Sequence, residues 1–198
     1  MSSVLHQDIL KQAINFDDYL ALTESIVAGQ SDKAIYKDEK MLRYTRSNLE
    51  RMKLVLNKMN LSQKLYNALS SLPSHQTWVV ITEPWCGDAS WGTTALHVMA
   101  TASDKISYKI LLRDSFPELI KHYHTNGTES IPKLICLDEE NNELWIWGPR
   151  PKALQQLIDN YKKDADFDFR ESVRKVHAWY EADMSASIQE EILQKIKP

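Results

Sequence analysis

The sequence predicts an α/β fold: a mixed four-stranded core sheet in the order β-α-β-α-β-β-α, with extra helices at both ends. Three observations carry this. Four short runs rich in Val, Ile, Leu and Trp stand at 77–82, 106–112, 133–137 and 143–147, each too short for a free-standing helix. Helical periodicity fills the gaps between the first three and both flanks. The length, 198 residues with 43% hydrophobic and 26% charged, suits one core with extensions and excludes wholesale disorder or a collagen-like chain.

From the N-terminus, Phe16, Tyr19, Leu20, Ile26 and Val27 share a helical face, with Asn15 as N-cap and Gly29 as stop. Leu42, Leu49, Met52, Leu56 and Met59 recur at helical spacing, as do Leu61, Leu65, Leu69 and Leu72, and both stripes read as core packing. Thr77–Thr82 is the first strand and ends at Glu83-Pro84. Residues 88–102 form a helix with Trp91, Ala95, Val98, Met99 and Ala102 on one face, and Ile106–Leu112 is a second strand, parallel to the first. A short helix near Phe116–Tyr123 leads through the Asn126-Gly127 turn to a strand at Lys133–Leu137. The polar turn Asp138–Asn142 joins it to Glu143–Trp147 as an antiparallel hairpin. Gly148-Pro149-Arg150-Pro151 stops that strand. Leu154, Leu157, Ile158 and Tyr161 form a further helix, followed by helices through Val173, Val176 and Tyr180 and through Ile188, Ile192 and Ile196. We divide the chain into an N-terminal helical extension (1–73), a core (74–164) and a C-terminal helical extension (165–198).

The charge balance excludes several functions. Lys and Arg number 24 against 27 Asp and Glu, a net −3 that leaves no basic footprint for nucleic acid or an anionic membrane. The longest apolar run, Trp78–Ile81, falls far short of the roughly 20 residues that span a bilayer. The first residues meet Asp8 and Lys11 before any apolar stretch forms, which predicts no secretory leader and a cytoplasmic location. Two cysteines, Cys86 and Cys136, are too few for a disulfide scaffold or a thiolate-rich zinc site.

One constellation carries chemistry. Thr82-Glu83-Pro84-Trp85-Cys86-Gly87-Asp88-Ala89-Ser90-Trp91 puts Cys86 between a strand and a helix, where unpaired N–H groups and the helix dipole favour a thiolate. Asp88, two residues on, repels that anion, so we expect moderate acidity. Trp85-Cys86-Gly87-Asp88 resembles the Trp-Cys-Gly-x-Cys signature of the thioredoxin superfamily, and the strand and helix order resembles its fold over about 74–164. Ser130-Ile131-Pro132-Lys133-Leu134 resembles its cis-proline element. The resemblance implies that Pro132 packs beside Cys86 and that the backbone of Ile131 pairs with substrate. Bacterial thioredoxin-like proteins similar to this one also carry an extra N-terminal helical layer.

This chain departs from the pattern at two positions. The resolving cysteine is replaced by Ala89, so the dithiol disulfide cannot form. The buried acid six residues before the active cysteine falls on Val80. Cys86, its helix N-terminus, Ile131 and Pro132 remain: the parts that attack a disulfide or sulfenic acid, without the part that releases the product. Monothiol glutaredoxins are similar in leaving release to an external small thiol, although no glutathione-binding signature is present here. We therefore expect single-cysteine thiol–disulfide exchange on a protein or small-molecule disulfide, with an external thiol reductant and no cofactor. The alternative is a non-catalytic binding module that holds an extended segment of a partner protein.

Each residue also has a plainer role. Cys86 can be a relic of the fold. Cys136, in Leu134-Ile135-Cys136-Leu137, lies more than about 10 Å beyond the site at 3.3 Å per strand residue and reads as core. Trp85 and Trp91 either flank the sulfur and meet substrate or pack inside, with Trp91 taken as substrate-binding. Trp145 and Trp147 share a strand face and read as core. His97, His122 and His124 read as surface histidines, and no metal site is expected. Peroxiredoxin-type chemistry needs Thr where Glu83 stands.

Overall fold

The computed structural model describes residues 4–196. The first three residues of the stretch read for a leader, and the last two of the C-terminal extension, lie outside it. Nine helices and four strands are present among the described residues: α1 Gln7–Leu10, α2 Phe16–Val27, α3 Glu39–Lys58, α4 Gln63–Ser70, β1 Gln76–Thr82, α5 Gly87–Ala100, β2 Ile106–Leu112, α6 Pro117–His122, β3 Lys133–Leu137, β4 Glu143–Trp147, α7 Lys152–Tyr161, α8 Phe169–Asp183 and α9 Ala186–Ile196. None of these helices is long and apolar enough to cross a membrane.

The sheet order is β2-β1-β3-β4, with β1 parallel to β2 and the other neighbours antiparallel. Alternation splits each central strand between two cores. Trp78 and Val80 of β1, with Leu134 and Cys136 of β3, face a core built with α4, α5, α7, α8 and α9. Val79 and Ile81, with Ile135 and Leu137, face the other side, against α1 and α6. A third cluster joins Phe16 and Tyr19 of α2 to Met52 of α3 and Ile110 of β2. At the β2 edge an isolated antiparallel bridge, Ile14 N donating to Ile110 O at 2.9 Å and Ile110 N to Ile14 O at 2.8 Å, covers the strand at Ile110.

Local signals explain most boundaries. Asn15 caps α2 by accepting from Asp18 N at 2.8 Å, and Gly29 takes φ +77° just beyond its end. Ser62 and Asp168 cap α4 and α8 in the same way. Helix α1 lies outside every predicted element, because four residues without a side-chain cap leave no periodic trace. Helix α5 lacks the expected single apolar face. It is buried nearly all round, since α3, α4 and α9 cover the side turned away from the sheet.

Cys136 is fully buried, its Sγ donating to Gln76 Oε1 at 3.2 Å, and it faces the opposite side of the sheet from the cluster that Cys86 joins. Cys136→Val should therefore change stability by only about 1 kcal/mol, seen as a small shift in urea midpoint, and leave thiol chemistry at Cys86 intact. Loss of that chemistry in a folded variant would show that Cys136 takes part.

Candidate active site

β1 delivers the chain to Thr82, whose hydroxyl pairs with Thr93 of α5 at 3.0 Å. The turn Glu83-Pro84-Trp85 follows, and Cys86 becomes the N-cap residue of α5 with φ −81° and ψ 121°. Its N–H is satisfied by Glu83 O at 3.1 Å. Its side chain caps nothing, and Sγ donates instead to the carbonyl of Ile131 at 3.3 Å. The Ile131–Pro132 bond is cis, as is Gly148–Pro149, which no sequence feature flagged.

Two glycines let this corner close. A β-carbon at Gly92 would stand 2.9 Å from Pro132 Cγ, and one at Gly148, where φ is +108°, would run into the carbonyl oxygen of Pro132.

The electrostatics differ from expectation. Cys86 is half-buried, and burial, with the Asp88 carboxylate adding to it, pushes the thiol up to about 12. The N–H groups of Ala89 and Asp88 and the charge of Arg150 pull the other way without prevailing. The expected moderate acidity is thus replaced by a thiol that rests protonated at neutral pH, because desolvation outweighs a helix end. Asp88 is itself engaged: Arg150 forms an ion pair with it, and Tyr180 OH donates to its other oxygen at 3.0 Å. Burial pushes Asp88 up against the pull of Arg150. Burial also acts to lower Arg150, but attraction to Asp88 outweighs it and the guanidinium stays charged.

Both extensions hold this turn in place. Asn48 of α3 donates to Pro84 O at 2.9 Å. Trp85 is pinned by donation to Asp114 at 3.3 Å, with the Arg113 guanidinium 4.6 Å above its ring. Trp91, expected at a substrate surface, is buried instead. Its ring stacks on Tyr180 of α8 at 5.5 Å, and its indole N–H donates to His177 Nδ1 at 3.2 Å. Helix α8 lies over the face that a bare core would expose, which is why the sequence placed Trp91 at the surface. Ile131 is also buried, leaving its backbone as the group at the site.

Several participants escaped the sequence reading. His177 sits against Gly87, where a β-carbon would come within 2.8 Å of its ring. Burial first, and Arg51 second, lower it to about 4, so the ring is neutral. The indole N–H can only donate, so Nδ1 accepts and Nε2 carries the proton. His97 is no surface group: it stacks on Phe16 at 3.9 Å, and burial lowers its pKa. His122 and His124 are exposed. Among the described residues no His, Cys, Asp or Glu group of three or more converges as a metal site.

Glu83, read only as a mismatch to one chemistry, is a buried carboxyl. It accepts from Asp114 N at 2.9 Å, and burial pushes it up to about 7. A carboxyl raised on folding stabilises fully below its unfolded value of 4.5, and that contribution is lost as pH rises through about 7. The gap corresponds to roughly 3 kcal/mol. Glu83→Gln should remove this decline between pH 5 and 8. His177 acts in the opposite sense at the acid end, so the measurement is the difference in unfolding free energy between variant and parent at each pH. A constant difference would mean that Glu83 keeps its ordinary titration.

Cys86 lines a cleft of about 540 Å³ bounded by α3, the Trp85–Asp88 turn, Arg150, and the α7–α8 segment. Arg43, Arg51, Arg150 and Lys162 line it, against the single carboxylate of Asp88.

A family model described as thioredoxin matches residues 34–162. No curated protein matches. Among solved structures, a protein of unknown function from Pseudomonas aeruginosa is similar at 19% identity and a TM-score of 0.62, covering 99% of this chain and 98% of that one. An HIV epitope scaffold is similar at 16% identity and a TM-score of 0.60, covering 96% of each chain. At these identities the likeness is one of fold, and it extends over both sets of flanking helices.

Proposed function

Since the chain belongs to the thioredoxin family, with a mixed four-stranded thioredoxin-like sheet, we propose that it carries out single-cysteine thiol–disulfide exchange through Cys86, with an external thiol resolving the mixed disulfide. The observation that supports this most is the placement of Cys86 as N-cap of α5. Its sulfur lies 3.3 Å from Ile131 O, with the N–H groups of Asp88 and Ala89 favouring the anion and Ala89 at the resolving position. Pro132 packs against the same helix, and Gly87 and Trp85 complete the turn. Two free thiols suit a reducing, cytoplasmic setting.

Because the thiol rests protonated, exchange is slow at neutral pH and rises about tenfold per pH unit to beyond pH 9, with no plateau near 7. The same protonated state favours the second reading, a thioredoxin-fold module that binds a partner without redox chemistry. Mass spectrometry of the parent and Cys86→Ser, after challenge with hydroxyethyl disulfide across pH 6–10, separates the two. An adduct confined to Cys86, formed along that profile and released by a millimolar small thiol, is expected. No adduct at Cys86 even at the alkaline end leaves the binding module in its place.

A further inference from the structure

We propose that the cleft over Cys86 takes a small anionic disulfide as co-substrate, held through its carboxylates by Arg43, Arg51 and Lys162. This rests on exchange at Cys86 and names what exchanges there. The whole chain is net −3, yet this cleft is lined by four cations and one carboxylate, and the carboxylate already neutralises Arg150. Arg43, Arg51 and Lys162 form no ion pair among the described residues. Arg51 is half-buried, its only side-chain partner there being Asn48 Oδ1 at 2.8 Å, and burial lowers its pKa with Glu181 opposing. A partly desolvated cation without an ion-pair partner is a place where an anion gains more than it does in bulk water.

Size and lining point the same way. About 540 Å³ lies in the range that encloses a small molecule. Phe167 and Phe169 are 37% and 66% exposed and line the same cleft, which offers apolar cover to aliphatic arms. A protein substrate is served less well: Trp91 is buried and stacked on Tyr180, so its ring is not offered to an extended segment.

The step balances without further reagents. The Cys86 thiol attacks one sulfur of R–S–S–R, its bond to R–S forms as the S–S bond breaks, and the thiol proton leaves on the released R–SH. A second anionic thiol, R′–SH, then attacks the R sulfur of the adduct, forming R–S–S–R′ as the bond to Cys86 breaks; its proton passes to Cys86, and the protein is not oxidised overall.

The test uses three disulfides of similar size and different charge on the full chain: 3,3′-dithiodipropionate, hydroxyethyl disulfide and cystamine. Each adduct rate at Cys86 is divided by the rate of the same disulfide with free 2-mercaptoethanol. The anionic disulfide should react about tenfold faster than the neutral one, and the cationic one more slowly. The preference should shrink in about 0.5 M salt. It should also fall in Arg43→Gln/Lys162→Gln, two exposed positions, with folding checked by the urea midpoint. Equal normalised rates for all three overturn the anionic cleft while exchange stands. Absence of any adduct overturns exchange itself, and this proposal with it.

Discussion

Ala89→Cys is expected to convert a chain that accumulates mixed disulfides into one that discharges them, with release faster by two or more orders of magnitude. Without a neighbouring thiol, the adduct on Cys86 waits for a second-order collision. A cysteine at position 89, in the first turn of the helix that Cys86 caps, would attack the same sulfur at a large effective concentration. Ala89 is fully buried, so the added sulfur brings an overpacking cost of about 1–3 kcal/mol. Val80 is buried where the family's proton-handling acid would stand, which holds the variant below an ordinary dithiol protein. The measurement is the time course of the Cys86 adduct by mass spectrometry without external thiol. The parent should keep the adduct, and Ala89→Cys should yield released thiol and an intramolecular disulfide. No adduct at Cys86 in the parent, together with no gain in a folded Ala89→Cys protein, would remove the exchange reading.

Arg150→Met carries the largest expected effect on stability, about 3–5 kcal/mol. The Asp88 side chain is only 12% exposed, and Arg150 is its ion-pair partner, leaving Tyr180 alone to satisfy it in the variant. An uncompensated buried carboxylate is costly because nothing replaces the water it gave up on folding. The double variant Arg150→Met/Asp88→Leu should recover most of the loss, since it removes the charge rather than orphaning it. The single variant should also slow adduct formation at Cys86, because Arg150 is one of the groups that favour the thiolate. Urea unfolding of parent, single and double variants gives the coupling energy. A single-variant loss below about 1 kcal/mol would mean that water already solvates Asp88.

The sequence by itself determined the strands and the junction. The second, third and fourth strand runs coincide with β2, β3 and β4, and the first differs from β1 by one residue, because period-two patterning between Gly, Pro and Asn punctuation is a local property. It also placed Cys86 at a strand–helix turn. What only the tertiary structure decided concerns groups far apart in the chain. Asp88 meets Arg150 and Tyr180, Gly87 meets His177, and Pro84 meets Asn48. These contacts bury the thiol and reverse the shift that a helix end alone would give it. The tertiary packing also buries Trp91 against Tyr180 and gathers four cations around one cleft of an acidic protein. Periodicity records which face of an element is apolar. It does not record which distant element covers that face, and desolvation and charge pairing depend on that cover.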